Sequence, residues 1–290
     1  MEKLAETIHE LQIETETLPS VFHPNYRLWA NYAKFARDRG VLTAIILEHE
    51  ISLRNADVLD IGCGEGGTAF ELALRGANVI AIDSNPARIQ RLKQKTLHIR
   101  NLTVLEKNAR ELLSLNMKFD LVVLQDVLEH LPEPEAVLQT IADMLKPDGK
   151  LFLSTPNRWS PLNFVNDPHW NLPVTAILPR KAVAFFIVNV VKREGAPRDD
   201  FAALLSLTKL KATLSRVKLK PHFVNTQVAN ALFAKPTSVV NSELHLRIVA
   251  ILKRLHLDRF VESLVNDRFG LFNYFINPTW YLIAEKDAAL

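Results

Sequence analysis

The chain predicts an α/β fold built on a doubly wound, mostly parallel sheet, and three observations carry that prediction. Short apolar segments alternate with helical patterns, giving strands at 56–61, 78–82, 102–106, 119–124 and 149–154 and helices near 68–75, 86–95 and 134–145. The first strand breaks into the turn Gly62-Cys63-Gly64-Glu65-Gly66-Gly67 directly before a helix. The second strand ends on an acid, Asp83. In sheets of this kind ligands lie beyond the carboxyl ends of the strands. Asp60, Asp83, Asn108 and Gln125 all fall at such ends, so four separate segments are expected to build one pocket.

Each element has its own local reason. Residues 4–17 carry Leu4, Ile8 and Leu11 at helical spacing, with glutamates on the other face. Pro19 and Pro24 interrupt that helix, and a second runs from Tyr26 to Ile51 with Trp29, Tyr32 and Phe35. Asn85-Pro86 and Pro134-Glu135 open helices with proline in the first turn, and Pro147-Asp148-Gly149 forms a turn. After Asn157 the rhythm changes to a turn-rich stretch with Trp159, Pro161, Pro168, His169, Trp170 and Pro173. The apolar run Ala182–Val191 follows, bounded by Arg180-Lys181 and Lys192-Arg193. It makes about 15 Å of helix against a hydrocarbon core of about 30 Å, so it does not span a membrane; its basic flanks permit peripheral membrane contact or a lipid-tailed acceptor, and the other reading is a buried cap helix. A helix at 208–217 leads to a strand expected at His222–Gln227. Asn241 to Phe260 is amphipathic, with Ile248, Ile251, Leu252 and Leu255 along one face. A last strand is read at Tyr274–Ile276 and Trp280–Ala284. The chain thus divides into N-terminal helices covering the site (1–52), a ligand-binding core (53–157) and remaining strands with an inserted helical cap (158–290). Residues 157–203 and 228–272 supply the cap.

Composition narrows the functional classes. At 290 residues with 48% hydrophobic content the chain has a well-filled core and no disordered character. A net charge of +3 leaves no nucleic-acid footprint. The single cysteine, Cys63, excludes an intramolecular disulfide, and its place inside the glycine turn marks it as a small packing residue. The acidic start Met1-Glu2-Lys3-Leu4-Ala5-Glu6 lacks the basic-then-apolar order of a secretion signal, and a cytoplasmic location is expected.

The glycine turn, with Asp83 behind it, predicts a nucleoside cofactor, since glycines allow close backbone approach and the helix start offers unpaired N–H groups. Gly62, Gly64 and Gly67 also fit the dinucleotide spacing, so a nicotinamide-dependent dehydrogenase stays open on glycine spacing alone. Against it, Asp60 precedes the first glycine, where it can meet a cationic ligand, and Glu65 is a poor neighbour for two phosphates. Further along stand Phe119-Asp120-Leu121-Val122-Val123, Leu128-Glu129-His130-Leu131 and Leu145-Lys146-Pro147-Asp148-Gly149-Lys150-Leu151. Together with Asp60–Gly66 and Asp83, and in this order, these segments resemble class I S-adenosylmethionine-dependent methyltransferases over roughly Leu53 to Asn157. Within that class the chain is similar to the group containing the ubiquinone-biosynthesis O-methyltransferases and many small-molecule and glycan methyltransferases.

The resemblance implies a Rossmann-like seven-stranded sheet and S-adenosylmethionine bound by Asp60, Gly62, Cys63, Gly64, Gly66, Asp83, Ser84, Asn108, Ala109 and Gln125. Asn108 stands where the family often has Asp. It further implies methyl transfer to an oxygen or nitrogen of a small-molecule, glycan or lipid-linked acceptor, with no nucleic-acid partner. Asp126, Glu129 and His130 occupy i, i+3 and i+4, one face if they lie on a helix. In one reading they stabilise the loop after the fourth strand. In the other they converge on the acceptor, with His130 and Asp126 in catalysis or all three as a divalent-cation site, as the resemblance implies for the ubiquinone-type relatives. His169, beside Asp167, is a second candidate base.

Overall fold

The computed structural model describes residues 26–170, 172–191, 202–240 and 243–287. The expected helix at 4–17, both prolines after it and Lys192-Arg193 lie outside the described residues, as do the side chains of Trp29 and Tyr32. Strands β1 (Asp57–Ile61), β2 (Asn78–Asp83), β3 (Leu102–Glu106), β4 (Phe119–Gln125), β5 (Leu145–Pro156), β6 (Leu219–Phe223) and β7 (Thr279–Lys286) form one seven-stranded sheet ordered β3-β2-β1-β4-β5-β7-β6. The pairs β1–β2, β2–β3 and β4–β5 are parallel, while β7 runs antiparallel to both β5 and β6. The mostly parallel, Rossmann-like sheet read from the sequence is therefore present.

The α-helices are α1 (Tyr26–Glu48), α2 (Gly67–Leu74), α3 (Pro86–Lys95), α4 (Pro134–Met144), α5 (Pro161–Val165), α6 (Arg180–Phe185), α7 (Leu207–Arg216), α8 (Asn225–Ala234), α9 (Glu243–Arg254) and α10 (Asp258–Leu264). The chain divides into two compact units, the first ending at Ala109 and taking in Gln227–Arg259, the second made of Arg110–Thr226 and Phe260–Leu290.

In the first unit, Val58, Leu59 and Ile61 of β1 and Ala81 and Ile82 of β2 are fully buried. That explains why the inner part of β2 reads as a continuous apolar run, and why β1 does not alternate, with only the buried Asp60 interrupting its apolar residues. Helix α2 buries Ala69, Phe70, Leu72 and Ala73. It meets α1 at a contact only glycine allows: a Cβ on Gly40 would stand 2.3 Å from the Gly67 carbonyl oxygen, and one on Gly67 2.1 Å from that of Ala36. Gly67 is thus a packing residue, which accounts for a match to the dinucleotide spacing that has nothing to do with phosphates. Helix α3 starts where expected. Pro86 fixes the first turn, the Asn85 side chain accepts from the Arg88 N–H at 3.1 Å, and Ile89 and Leu92 are buried.

In the second unit, β4 buries Leu121, Val122, Val123 and Leu124 completely. Trp170, Val183 and Ile187 pack with Leu172, Leu178 and Phe186 into a small core of their own. A buried amide cage ties this region to β7. Asn273 Oδ1 accepts from Asn225 Nδ2 (3.1 Å) and Asn277 Nδ2 (2.9 Å), and Asn273 O accepts from Trp280 Nε1 (2.8 Å). Asn157 Nδ2 donates to Asn277 O at 2.9 Å, and Asn163 Nδ2 to Pro278 O at 2.6 Å.

Four boundaries differ from the sequence reading. Strand β5 starts at Leu145, and β6 occupies 219–223, leaving Gln227 in α8. The apolar pair Phe223-Val224 drew the reading forward, but Asn225 Oδ1 accepts from the Tyr281 N–H and ends the strand. Residues 272–276 form a π-helical turn, so the last strand begins at Thr279. The amphipathic stretch 241–260 breaks at His256, whose φ is 55°. Among the described residues no helix is long and apolar enough to cross a membrane.

Candidate functional site

The first unit holds the glycine turn. Gly62, Gly64 and Gly66 all have positive φ (69°, 56° and 79°), which side-chain-bearing residues adopt only at a cost. The turn is pinned to β2, since the Gly62 and Cys63 N–H groups donate to Ile82 O at 2.8 and 2.9 Å. Asp83 closes it: Oδ2 accepts from the Gly64 N–H at 3.0 Å and Oδ1 from the Asn85 N–H at 2.8 Å. A Cβ at Gly64 would meet nothing within 4 Å, so the turn presents open backbone.

Asp60 lies behind this turn, 3% exposed. The Ala69 N–H donates to its carboxylate, while Oδ2 ends without a hydrogen-bond partner. Burial and the neighbouring Asp83 charge push its pKa up to about 7. A buried, partnerless carboxylate oxygen beside a second acid is a place for a cation. Burial, then the charges of Asp60 and Asp83, push the Cys63 thiol well up, which keeps it protonated and unreactive. Ser84 follows Asp83 on the exposed side. Asn108 and Ala109 come just beyond β3, where the Lys107 N–H donates to Asp83 O at 3.1 Å.

Glu65 has a different place from the one its position in the turn suggests. Its carboxylate meets Arg91 Nη2 at 2.6 Å and Lys95 Nζ at 3.5 Å, both on α3. Burial opposes its ionisation, but Arg91, helped by Lys95 and Arg88, holds the carboxyl below its usual range. It clamps the turn to α3 and is not turned toward a ligand.

The second unit holds Gln125, at the end of β4, and the acid-histidine cluster. Asp126, Glu129 and His130 do not share a helix face. Asp126 sits in the left-handed region (φ 54°) ahead of a single 3₁₀ turn, Leu128–His130, so the i, i+3, i+4 geometry is corrected. The Asp126 N–H donates to Ser154 O at 3.0 Å and Ser154 Oγ to Asp126 Oδ1 at 2.7 Å, which fixes the carboxylate to β5.

Glu129 is fully buried and gathers contacts from several segments. Its Oε2 accepts from Thr155 Oγ1 at 2.9 Å, and its Oε1 lies 3.5 Å from His169 Nε2. Its backbone oxygen accepts from Arg180 Nη2 at 2.8 Å and from the Ala203 N–H at 2.9 Å. His169 also faces Asp167, with Nδ1 at 3.7 Å from Oδ1, and the His130 ring edge at 4.8 Å between centroids. Burial disfavours charge on His169, yet Glu129 first, then Asp167 and Asp126, hold its pKa above the ordinary 6.5. The donor atoms of Glu129, His130 and His169 lie within 4.8 Å of one another, a spacing a metal ion can bridge; Asp126 is not among them. The sequence named His169 separately, but Asp167 and Glu129 converge on it through a fold no local pattern encodes. Trp170 belongs to the small apolar core described above, while Trp159 and Phe185 are exposed.

A family model described as a methyltransferase domain matches residues 32–187. The ubiquinone biosynthesis O-methyltransferase of Coxiella burnetii (strain RSA 331 / Henzerling II) is 32% identical over 163 residues, 52% of this chain and 66% of that protein. The enzyme of the same name from Haemophilus ducreyi is 39% identical over 107 residues, 35% of this chain and 45% of that one. The chain thus spans just under two thirds of the first of these relatives. Among solved structures, the plantazolicin methyltransferase BamL, in complex with a triazolic desmethylPZN analog and SAH, aligns with TM-score 0.51 over 96% of this chain and 90% of that one at 14% identity, a likeness of fold. Nothing in these comparisons supports the dehydrogenase reading that glycine spacing had left open. With the family match running over more than half its length, and the parallel sheet and Asp83-gripped turn beneath it, the chain belongs to the methyltransferase domain family and carries the class I S-adenosylmethionine-dependent methyltransferase fold.

Proposed function

We propose that this protein transfers the methyl group of S-adenosylmethionine to an oxygen or nitrogen of a small-molecule, glycan or lipid-linked acceptor, acting in the cytoplasm. One observation carries the donor assignment: the left-handed glycine turn gripped by Asp83, with the partnerless Asp60 Oδ2 behind it. The donor supplies an electrophilic methyl on a cationic sulfur. Both Asp83 oxygens retain a lone pair beyond their backbone contacts and suit a ribose diol. Asp60 suits the positive charge of the donor, and Asn108 with Ala109 the adenine. Gln125, Gly62, Cys63, Gly64, Gly66 and Ser84 complete the proposed set. What the chain contributes is alignment of donor and acceptor and removal of bulk water.

Calorimetry with S-adenosylhomocysteine tests this. Binding is expected for the wild type and is expected to weaken by about 1.5–3 kcal/mol in Asp83→Ala, the range for hydrogen bonds to a charged group. Tight NADH binding with none for the sulfur nucleoside would overturn the assignment.

For a hydroxyl acceptor, His130 is the proposed base, and Asp126, whose carboxylate Ser154 holds, is the proposed second catalytic residue. A second reading rests on the cluster of Glu129, His130 and His169. In that reading the three residues would hold a divalent cation, which would supply Lewis-acid activation of the acceptor hydroxyl. Equilibrium dialysis separates the two: on the cation reading the wild type takes up Zn²⁺ and His130→Ala/His169→Ala does not. The acceptor itself is proposed to be chosen by the cap segments 157–203 and 228–272, with Trp159 and Phe185 as exposed aromatic contacts.

A further inference from the structure

Of the amphipathic face read in residues 241–260, Leu252 is half-buried and the other three residues are exposed. On α9 the side chains of Ile248, Ile251 and Leu255 point into solvent, 38%, 56% and 60% exposed, and Leu257 follows at 40%. Among the described side chains of α9, Val249 is buried and His245, Leu246 and Leu252 are half-buried. Ile248, Ile251 and Leu255 stand at i, i+3 and i+7, one unbroken outward stripe. Scattered exposed apolar residues need no explanation, but a helical stripe of them does.

The charges beside the stripe say what covers it. Arg247 and Arg254, seven residues apart, form the row next to it, and both are exposed. Lys253 and Arg259 are exposed as well, with Lys253 Nζ donating to Phe233 O at 2.8 Å. Among the described residues of 245–259 every exposed side chain with a formal charge is basic, and the one acid, Asp258, is half-buried. A second copy of this chain is a poor occupant, because a twofold contact through the stripe would set Arg247 and Arg254 against the same cations of the partner. An aliphatic stripe rimmed by arginines has the chemistry of a helix lying in a bilayer interface, apolar residues among the acyl chains and cations at the lipid phosphates.

We propose that α9 docks this protein on an anionic lipid surface, with Ile248, Ile251 and Leu255 inserted and Arg247 and Arg254 at the headgroups. This is independent of the methyl-transfer reading, and its test uses no activity measurement. The full-length protein is mixed with vesicles of phosphatidylcholine containing phosphatidylglycerol, or of phosphatidylcholine alone, and separated by flotation. The protein floats with the anionic vesicles and not with the neutral ones, and raised salt releases it. Arg247→Gln with Arg254→Gln lowers partition roughly 30-fold, at about tenfold per 1.4 kcal/mol and about 1 kcal/mol per basic residue. Ile248→Ser, Ile251→Ser and Leu255→Ser together abolish flotation while the melting temperature changes little, since Ile251 and Leu255 are more than half exposed. Equal flotation of the wild type and both variants overturns the proposal. So does a failure of the wild type to bind anionic vesicles. Finding that the serine variant breaks a dimer in sedimentation velocity, or that an acidic peptide binds the wild type where vesicles do not, would also reject it.

Discussion

Glu129→Ala is expected to lower stability by about 3 kcal/mol or more, the cost of removing one partner of a buried charged pair. The carboxylate is fully buried between Thr155 Oγ1 and His169 Nε2, so its loss leaves a hydroxyl and an imidazole facing a cavity. Glu129→Gln keeps the shape and the Thr155 contact but loses the charge, and it should recover part of the loss if the full truncation folds poorly. The effect depends on pH with a definite sign. The folded-state pKa of His169 lies above the ordinary 6.5, so its pairing stabilises fully below that value and the contribution disappears as pH rises through the raised one. Thermal melts of wild type and His169→Gln should therefore differ at pH 6 and converge in alkaline solution. An equal gap at both pH values would mean that His169 acts through packing alone.

Asp60→Asn should move stability and ligand affinity in opposite directions. The Asp60 carboxyl has a pKa of about 7 in the folded chain against an ordinary 3.8. An acid shifted upward favours the folded state fully below its unfolded pKa and loses that contribution as pH climbs to its folded pKa. Between about pH 4 and 7 the wild type without ligand therefore loses up to about 4 kcal/mol, at roughly 1.4 kcal/mol per pKa unit. The amide carries no such cost. Asp60→Asn should melt higher than wild type at pH 8 and about level with it at pH 4, while binding S-adenosylmethionine more weakly. A variant less stable than wild type at pH 8 would show that the carboxylate is compensated in a way its partnerless Oδ2 does not suggest.

The parts of this protein legible in the sequence are those whose cause is local. The turn at Gly62–Gly66 announces itself because three left-handed residues favour glycine, and β4 does so because a strand covered on both faces carries an apolar run, Leu121–Leu124. Helix α3 was placed to the residue, since Asn85 and Pro86 write a cap into the chain. What escaped was set at long range. Gly40 looks like an ordinary helix glycine until Gly67 is packed against it. Glu65 reads as a ligand-facing acid until Arg91, 26 residues away, takes its carboxylate. Asp126, Glu129 and His130 share a face only on a helix, and a single 3₁₀ turn after a left-handed residue leaves Asp126 outside the group that Glu129 and His130 form with His169. The outward aim of Ile248, Ile251 and Leu255 is invisible for a related reason, because periodicity reveals that a helix has an apolar side and not which way that side points.

The position of β7 has a consequence for the order in which the chain can be made. It is the last strand in sequence, yet it lies inside the sheet, hydrogen-bonded to β5 on one side and β6 on the other. Until residues 279–286 have emerged from the ribosome, β5 has an open flank and β6 has no partner strand. The amide cage waits on the residues just before them, because Asn157 and Asn163 bond to the Asn277 and Pro278 oxygens, more than 110 residues further along. A nascent chain of this protein therefore presents a bare β5 edge from the completion of that strand until β7 emerges, and the second unit closes late.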